Sequence, residues 1–148
     1  MTNPVTPRLF HAALAMRGFR SLRNSAYKDS AEVRAICSAG ISRKNTLASV
    51  SLGFWMFELS GLAPETYNRC HIYGSIGSII PRFRGLQAVS GQSSSAAWQE
   101  LINHTDDIAD AIDSHLSINS LNIAFRHGFF KHCLILKEAR MFLELGLR

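Results

Sequence analysis

The sequence has no paired set of cysteines. Cys37, Cys70 and Cys133 are odd in number and far apart, which excludes a disulfide framework and suits a reducing cytoplasm. It has no long apolar run. The longest uncharged apolar run, residues 45–57, is interrupted by Ser49 and Ser51 and closed by Glu58, too short to span a bilayer, so no membrane role is expected. It is poor in charge, at 18% of 148 residues, and so leaves a less polar surface than usual, part of which is expected to meet a partner. No G-x-S-x-G and no phosphate loop occur. Nothing identifies an enzyme, and no cofactor is expected.

Acidic residues are missing before Asp29. Residues 1–46 hold eight Lys or Arg against Asp29 and Glu32, residues 47–100 balance, and residues 101–148 carry a slight acidic excess. The net charge of +5 therefore lies in the first third. Such asymmetry points to a nucleic acid, an acidic protein or an anionic surface. Arginine outnumbers lysine twelve to four, a bias that suits phosphates and base edges. The same basic N-terminus has the composition of an organelle-targeting peptide; a cytoplasmic protein is the reading carried forward.

What is present is a chain 47% hydrophobic and of one-domain length, able to bury a core. Thr6-Pro7 predicts a helix start, with the helix running to about residue 24. Asp29 with Glu32 makes a capping-box signal for a helix over 30–38 that Gly40 stops. Ser42 caps the next, whose later part is apolar at Leu47, Val50, Phe54 and Phe57, and Gly61 ends it. A further segment runs from Pro64 to Ile80. Residues 81–95 form a Pro/Gly/Ser loop. Trp98, Leu101, Ile102, Thr105, Ile108, Ala109, Ile112 and Leu116 share one helical face, with Asp106, Asp107, Asp110 and Asp113 turned away. The last helix, 120–145, is apolar nearly all round, so it is expected to be buried or to lie in a subunit interface. The expectation is an all-α bundle: a single domain over 1–148 of five to six helices, with a helix-turn-helix-like unit at 30–59 and a helical hairpin at 96–145 that supplies the core and a dimer interface.

The functional expectation rests on "CSAGISRKNTLA", residues 37–48. Gly40 would make the tight turn, Ile36, Ile41 and Leu47 would pin two helices, and Ser42, Arg43, Lys44 and Asn45 would occupy the first turn of a reader helix. Arginine grips guanine through two acceptors and asparagine pairs with adenine. Arg17, Arg20, Arg23, Arg82 and Arg84 would add phosphate contacts. "AGISRKNTLASV" resembles the turn and recognition helix of bacterial helix-turn-helix transcription regulators. A second likeness, over about 35 residues, is to the flagellar master-regulator family, whose Leu-Ser-Arg start and Glu-Leu-x-Gly-x-x-Pro ending correspond to Ile41-Ser42-Arg43 and Glu58 to Pro64. Three departures stand: one extra residue before Thr46-Leu47, an apolar Phe54-Trp55-Met56-Phe57 run, and no zinc-binding cysteine cluster. The resemblance implies duplex DNA binding, with RNA as an alternative.

The plain reading of the same residues is a helix C-cap and a solvated helix start. On that reading the chain is a protein-interaction subunit of a larger, possibly ribonucleoprotein, assembly, or a phage- or plasmid-type inhibitor. Cys70-His71 and His132-Cys133 have no zinc spacing, so no metal site is expected. The aspartate row reads as a solvated face.

Overall fold

The computed structural model describes residues 7–22, 25–41, 48–83 and 102–145. Their alternation is that of strands. Val33, Ala35, Cys37 and Ala39 are buried along one segment, and Val50, Leu52, Phe54 and Met56 along the next. A period of two places each set on one side of a pleated strand. The register pairs them across the hairpin, Val33 with Met56, Ala35 with Phe54, Cys37 with Leu52 and Ala39 with Val50.

These segments are β3 (Val33–Ile41) and β4 (Ala48–Met56), the centre of a six-stranded sheet. β1 (Arg20–Leu22) and β2 (Ser25–Asp29) lie to one side, β5 (Ile72–Ser75) and β6 (Leu134–Ile135) to the other. All neighbours are antiparallel and in sequence order. Helices α1 (Pro7–Ala15), α2 (Ile76–Ile79), α3 (Thr105–Asp113), α4 (Ile118–Arg126) and α5 (Lys137–Leu145) complete the described chain. Phe10 and Leu14 of α1, Ile108 and Ile112 of α3, Leu121 of α4 and Leu143 of α5 join the strand side chains in one core. The small Ala35, Cys37 and Ala39 leave room for α1 to close on β3.

The all-α expectation is therefore overturned. The unit expected at 30–59 to be helix-turn-helix is a β-hairpin: Gly40 is not a helix cap but pairs with Ser49 in the sheet. The Asp29/Glu32 signal is a turn instead. Ser30 Oγ accepts from the amides of Glu32 (3.2 Å) and Val33 (3.0 Å), which closes β2 onto β3. The first helix stops at Ala15, and Gly18 at φ +92° turns the chain into β1, a conformation glycine reaches without a Cβ clash. The segment expected from Pro64 to Ile80 supplies β5 and the single turn of α2. The expected 120–145 helix is two helices, α4 and α5, with β6 between them. α1 keeps its predicted start at Pro7, and α3 its predicted character, burying Thr105, Ile108, Ala109 and Ile112.

The other face of the sheet is crossed by residues 57–71. Trp55 Nε1 donates to Ser60 O (3.0 Å). Arg34 forks onto both oxygens of Asp29 (2.7 and 2.9 Å), lies over the Tyr27 ring at 4.3 Å and donates to Pro64 O (3.4 Å). Only a planar guanidinium does all of this at once. Arg34→Lys is expected to cost about 1–2 kcal/mol, the lower part of the range for charged hydrogen bonds because Asp29 is partly exposed. Amide exchange should accelerate in residues 57–71 while α3 is unaffected; unchanged exchange there would contradict the strut.

Candidate interaction surface

The basic residues expected to touch phosphate meet different fates. Arg17 pairs with Asp106 (2.8 Å) and with Asp110 of α3, and those bonds raise the pKa of its guanidinium. Lys28 pairs with Asp113 (2.8 Å) and donates to Arg17 O (3.1 Å). Three of the four aspartates read as a solvated row are thus partners of the N-terminal cations, and the charge asymmetry of the sequence is partly neutralised within the fold. Arg82 is exposed, donates to Asp107 O (3.1 Å) and lies 4.8 Å over the Phe83 ring. Arg20 is exposed on β1 and lines a pocket of about 330 Å³ with Gly18, Tyr27, Lys28 and Asp29. Arg23, Arg84, Ser42, Arg43, Lys44 and Asn45 lie outside the described residues.

Two histidines work inside the fold. The described register of β2 on β3 ends at Ala26 opposite Cys37. Two residues further on, the Ala39 amide donates to His11 Nε2 (3.1 Å). The register of β5 on β4 ends at Ile72 opposite Phe54, and two residues further on the Met56 amide donates to His71 Nδ1 (2.9 Å). Each imidazole accepts an amide proton beyond the end of the described register, one on each outer side of the central hairpin. Both rings are buried. Desolvation lowers the pKa of each, the charge of Glu138 partly opposing it at His71. Accepting through Nδ1 leaves the proton of neutral His71 on Nε2, which is buried and has no hydrogen-bond partner among the described residues. Burial pushes the Cys37 and Cys70 thiols up to about 12 and Cys133 up to about 11. They are protonated at neutral pH and pack as small apolar groups.

The sheet has two ends. At β1 the outer strand presents exposed Arg20 and Ser21, and a charge on an edge strand discourages pairing with another chain. At β6 the outer strand is Leu134-Ile135, with Leu134 59% exposed. The Leu136 amide donates inward to His71 O (2.9 Å). Successive amides alternate in direction along a strand, so the N–H and C=O of Ile135 face away from β5. No described strand takes them. Among the described residues nine large hydrophobic side chains are exposed, and six of them (Ile123, Phe129, Leu134, Leu136, Met141 and Leu145) fall between 123 and 145, the stretch of sequence that contains β6.

A pocket of about 170 Å³ adjoins the edge, lined by Phe125, Gly128, Phe130, Lys131, Ile135 and Arg140. Arg140 lies 6.0 Å over the Phe125 ring. Among the described residues no carboxylate is within ion-pair distance of Lys131 or Arg140. A wider trough of about 640 Å³ lies over Trp55. Its rim charges, Glu65 and Arg69, are of opposite sign and no open strand borders it.

The expectation of an interface within 120–145 falls on this surface, though the element at its centre is a strand. Lys131 and Arg140 carry no motif, and only the turn at Gly128 and the fold of α5 onto α4 bring them to one pocket. The described residues contain no cluster of His, Cys, Asp or Glu able to hold a metal. They contain no helix long and apolar enough to cross a membrane. No protein-family model, no curated protein and no solved structure matches the chain.

Proposed function

We propose that the protein is a docking module that binds another polypeptide, a second copy included, through the β6 end of its sheet. The single observation that carries this reading is that β6, an uncharged strand with exposed Leu134, has an outer edge no described strand takes, within a stretch of sequence rich in exposed apolar side chains. The engagement of Arg17 and Lys28 by α3 supports it further, since it withdraws two cations from any phosphate contact. Residues 48–56, the later part of the expected reader helix, are strand β4. A cytoplasmic setting suits the three free cysteines.

The test is site-specific photocrosslinking in the native host, with p-benzoylphenylalanine in place of Leu134 or Met141 and, as controls, of the still more exposed Met16 or Leu62. The reading expects one discrete protein adduct from the two β6-side positions, and none from Met16 or Leu62. Adducts from the controls alone, or from no position, would overturn it. So would salt-sensitive binding to mixed duplex DNA that an Arg43→Ala/Lys44→Ala double variant abolishes.

A further inference from the structure

We infer that the occupant of the β6 edge is an extended acidic segment that adds to the sheet as a seventh strand, with one apolar side chain in the pocket beside Ile135. The inference rests on the docking reading above and names the chemistry of its partner. The backbone sets the register. Ile135 presents its N–H and C=O outward, so the residue opposite it exchanges both hydrogen bonds with it. Directly opposed residues of neighbouring strands project to the same face. Ile135 lines the 170 Å³ pocket, and the side chain opposite it therefore enters that pocket, against Phe125 and Phe130.

Period two then assigns the remaining positions. The residues on either side of the anchor face the sheet's other side, where exposed Leu134 and Leu136 favour β-branched apolar partners. The residues two away return to the pocket side, where Lys131 and Arg140 stand without a carboxylate. The segment has the pattern acid, apolar, anchor, apolar, acid. Main-chain bonds supply affinity, and the anchor with its flanking charges supplies choice, as in other strand-addition complexes. The β1 end lacks this combination, because Arg20 guards its edge.

The experiment is fluorescence anisotropy of the full chain with a labelled, end-blocked Glu-Val-Leu-Val-Glu peptide. Three comparisons accompany it: a peptide with both glutamates changed to lysine, a peptide with N-methyl-leucine at the anchor, and a Lys131→Glu/Arg140→Glu protein. Both residues changed in the protein are exposed, so that variant should fold, and the peptide changes do not depend on its folding. Wild type is expected to bind the glutamate peptide about tenfold or more tightly than the lysine or N-methyl peptides. The double variant should reverse the charge preference. Equal binding of all three peptides by wild type, or no reversal, overturns the inference. Failure of every peptide while crosslinking from Leu134 persists overturns the acidic-strand assignment and leaves the docking reading standing. Loss of both removes both.

Discussion

Gly53→Ala is expected to destabilise the protein by about 1–3 kcal/mol, the usual cost of forcing a methyl group into packed surroundings. A Cβ at position 53 would lie 2.6 Å from Tyr67 O, 2.8 Å from Cys70 Sγ and 3.0 Å from Cys70 Cβ. The nearest of these is backbone, fixed by the turn at Tyr67–Arg69 and by the Cys70 amide bonded to Tyr67 O (3.1 Å). The segment must lift off β4 to admit the methyl, and it would draw His71 away from Trp55 of β4, on which it stacks at 4.0 Å. The sign of the effect decides between two architectures. In a helix the same change removes a flexible residue and stabilises by up to about 1 kcal/mol. Urea unfolding of wild type and variant, with the slope checked for constancy, reads that sign directly. A more stable variant would mean that residues 48–56 are not the strand under residues 57–71.

The strands were hidden because a spacing of four is shared by both regular structures. Val50 and Phe54 lie on one side of a helix, and equally on one side of a strand. The signal that separates them was present in Leu52 and Met56, which fill the even positions, with Ser51, Gly53 and Trp55 between. Val33, Ala35, Cys37 and Ala39 repeat the pattern, but alanines favour helix when read singly. Asp29 and Glu32 imitated a helix start, whereas the turn was closed by the serine between them. In α3 the spacings of three and four that relate Thr105, Ile108, Ala109 and Ile112 exclude a strand, and that helix was legible. The candidate surface was half legible. The apolar density of 129–136 pointed to the candidate surface, but β6 forms only because β5 is there to pair with it. The pairing of Arg17 with aspartates about ninety positions away, like the capping by His11 and His71, depends on where other elements end, and no local pattern records that.

The two buried caps give the protein a one-sided response to acid. His11 and His71 accept an amide proton only when the ring nitrogen is unprotonated, and protonation would set two donors against each other. Burial lowers the pKa of both below the ordinary 6.5, and it does the same at His115, where Nδ1 lies 2.7 Å from Ala111 O and that bond partly opposes the shift. The unfolded chain therefore takes up these protons first. Their contribution to stability is fully present above about pH 6.5, and it is lost as the pH falls through that value towards the depressed folded pKa values. Where the unfolded ring is charged and the folded ring is not, linkage gives about 1.4 kcal/mol per pH unit per histidine. Three acting together would remove up to about 4 kcal/mol per unit, a large share of a normal stability. Urea midpoints measured from pH 8 to 4.5 should be level down to about 6.5 and then drop. His11→Gln and His71→Asn each place an amide oxygen near the accepting nitrogen, so the double variant should keep both backbone bonds and lose most of the slope. An unchanged slope in that variant, or a wild-type midpoint flat from pH 7 to 5, would show that the imidazoles do not complete the sheet.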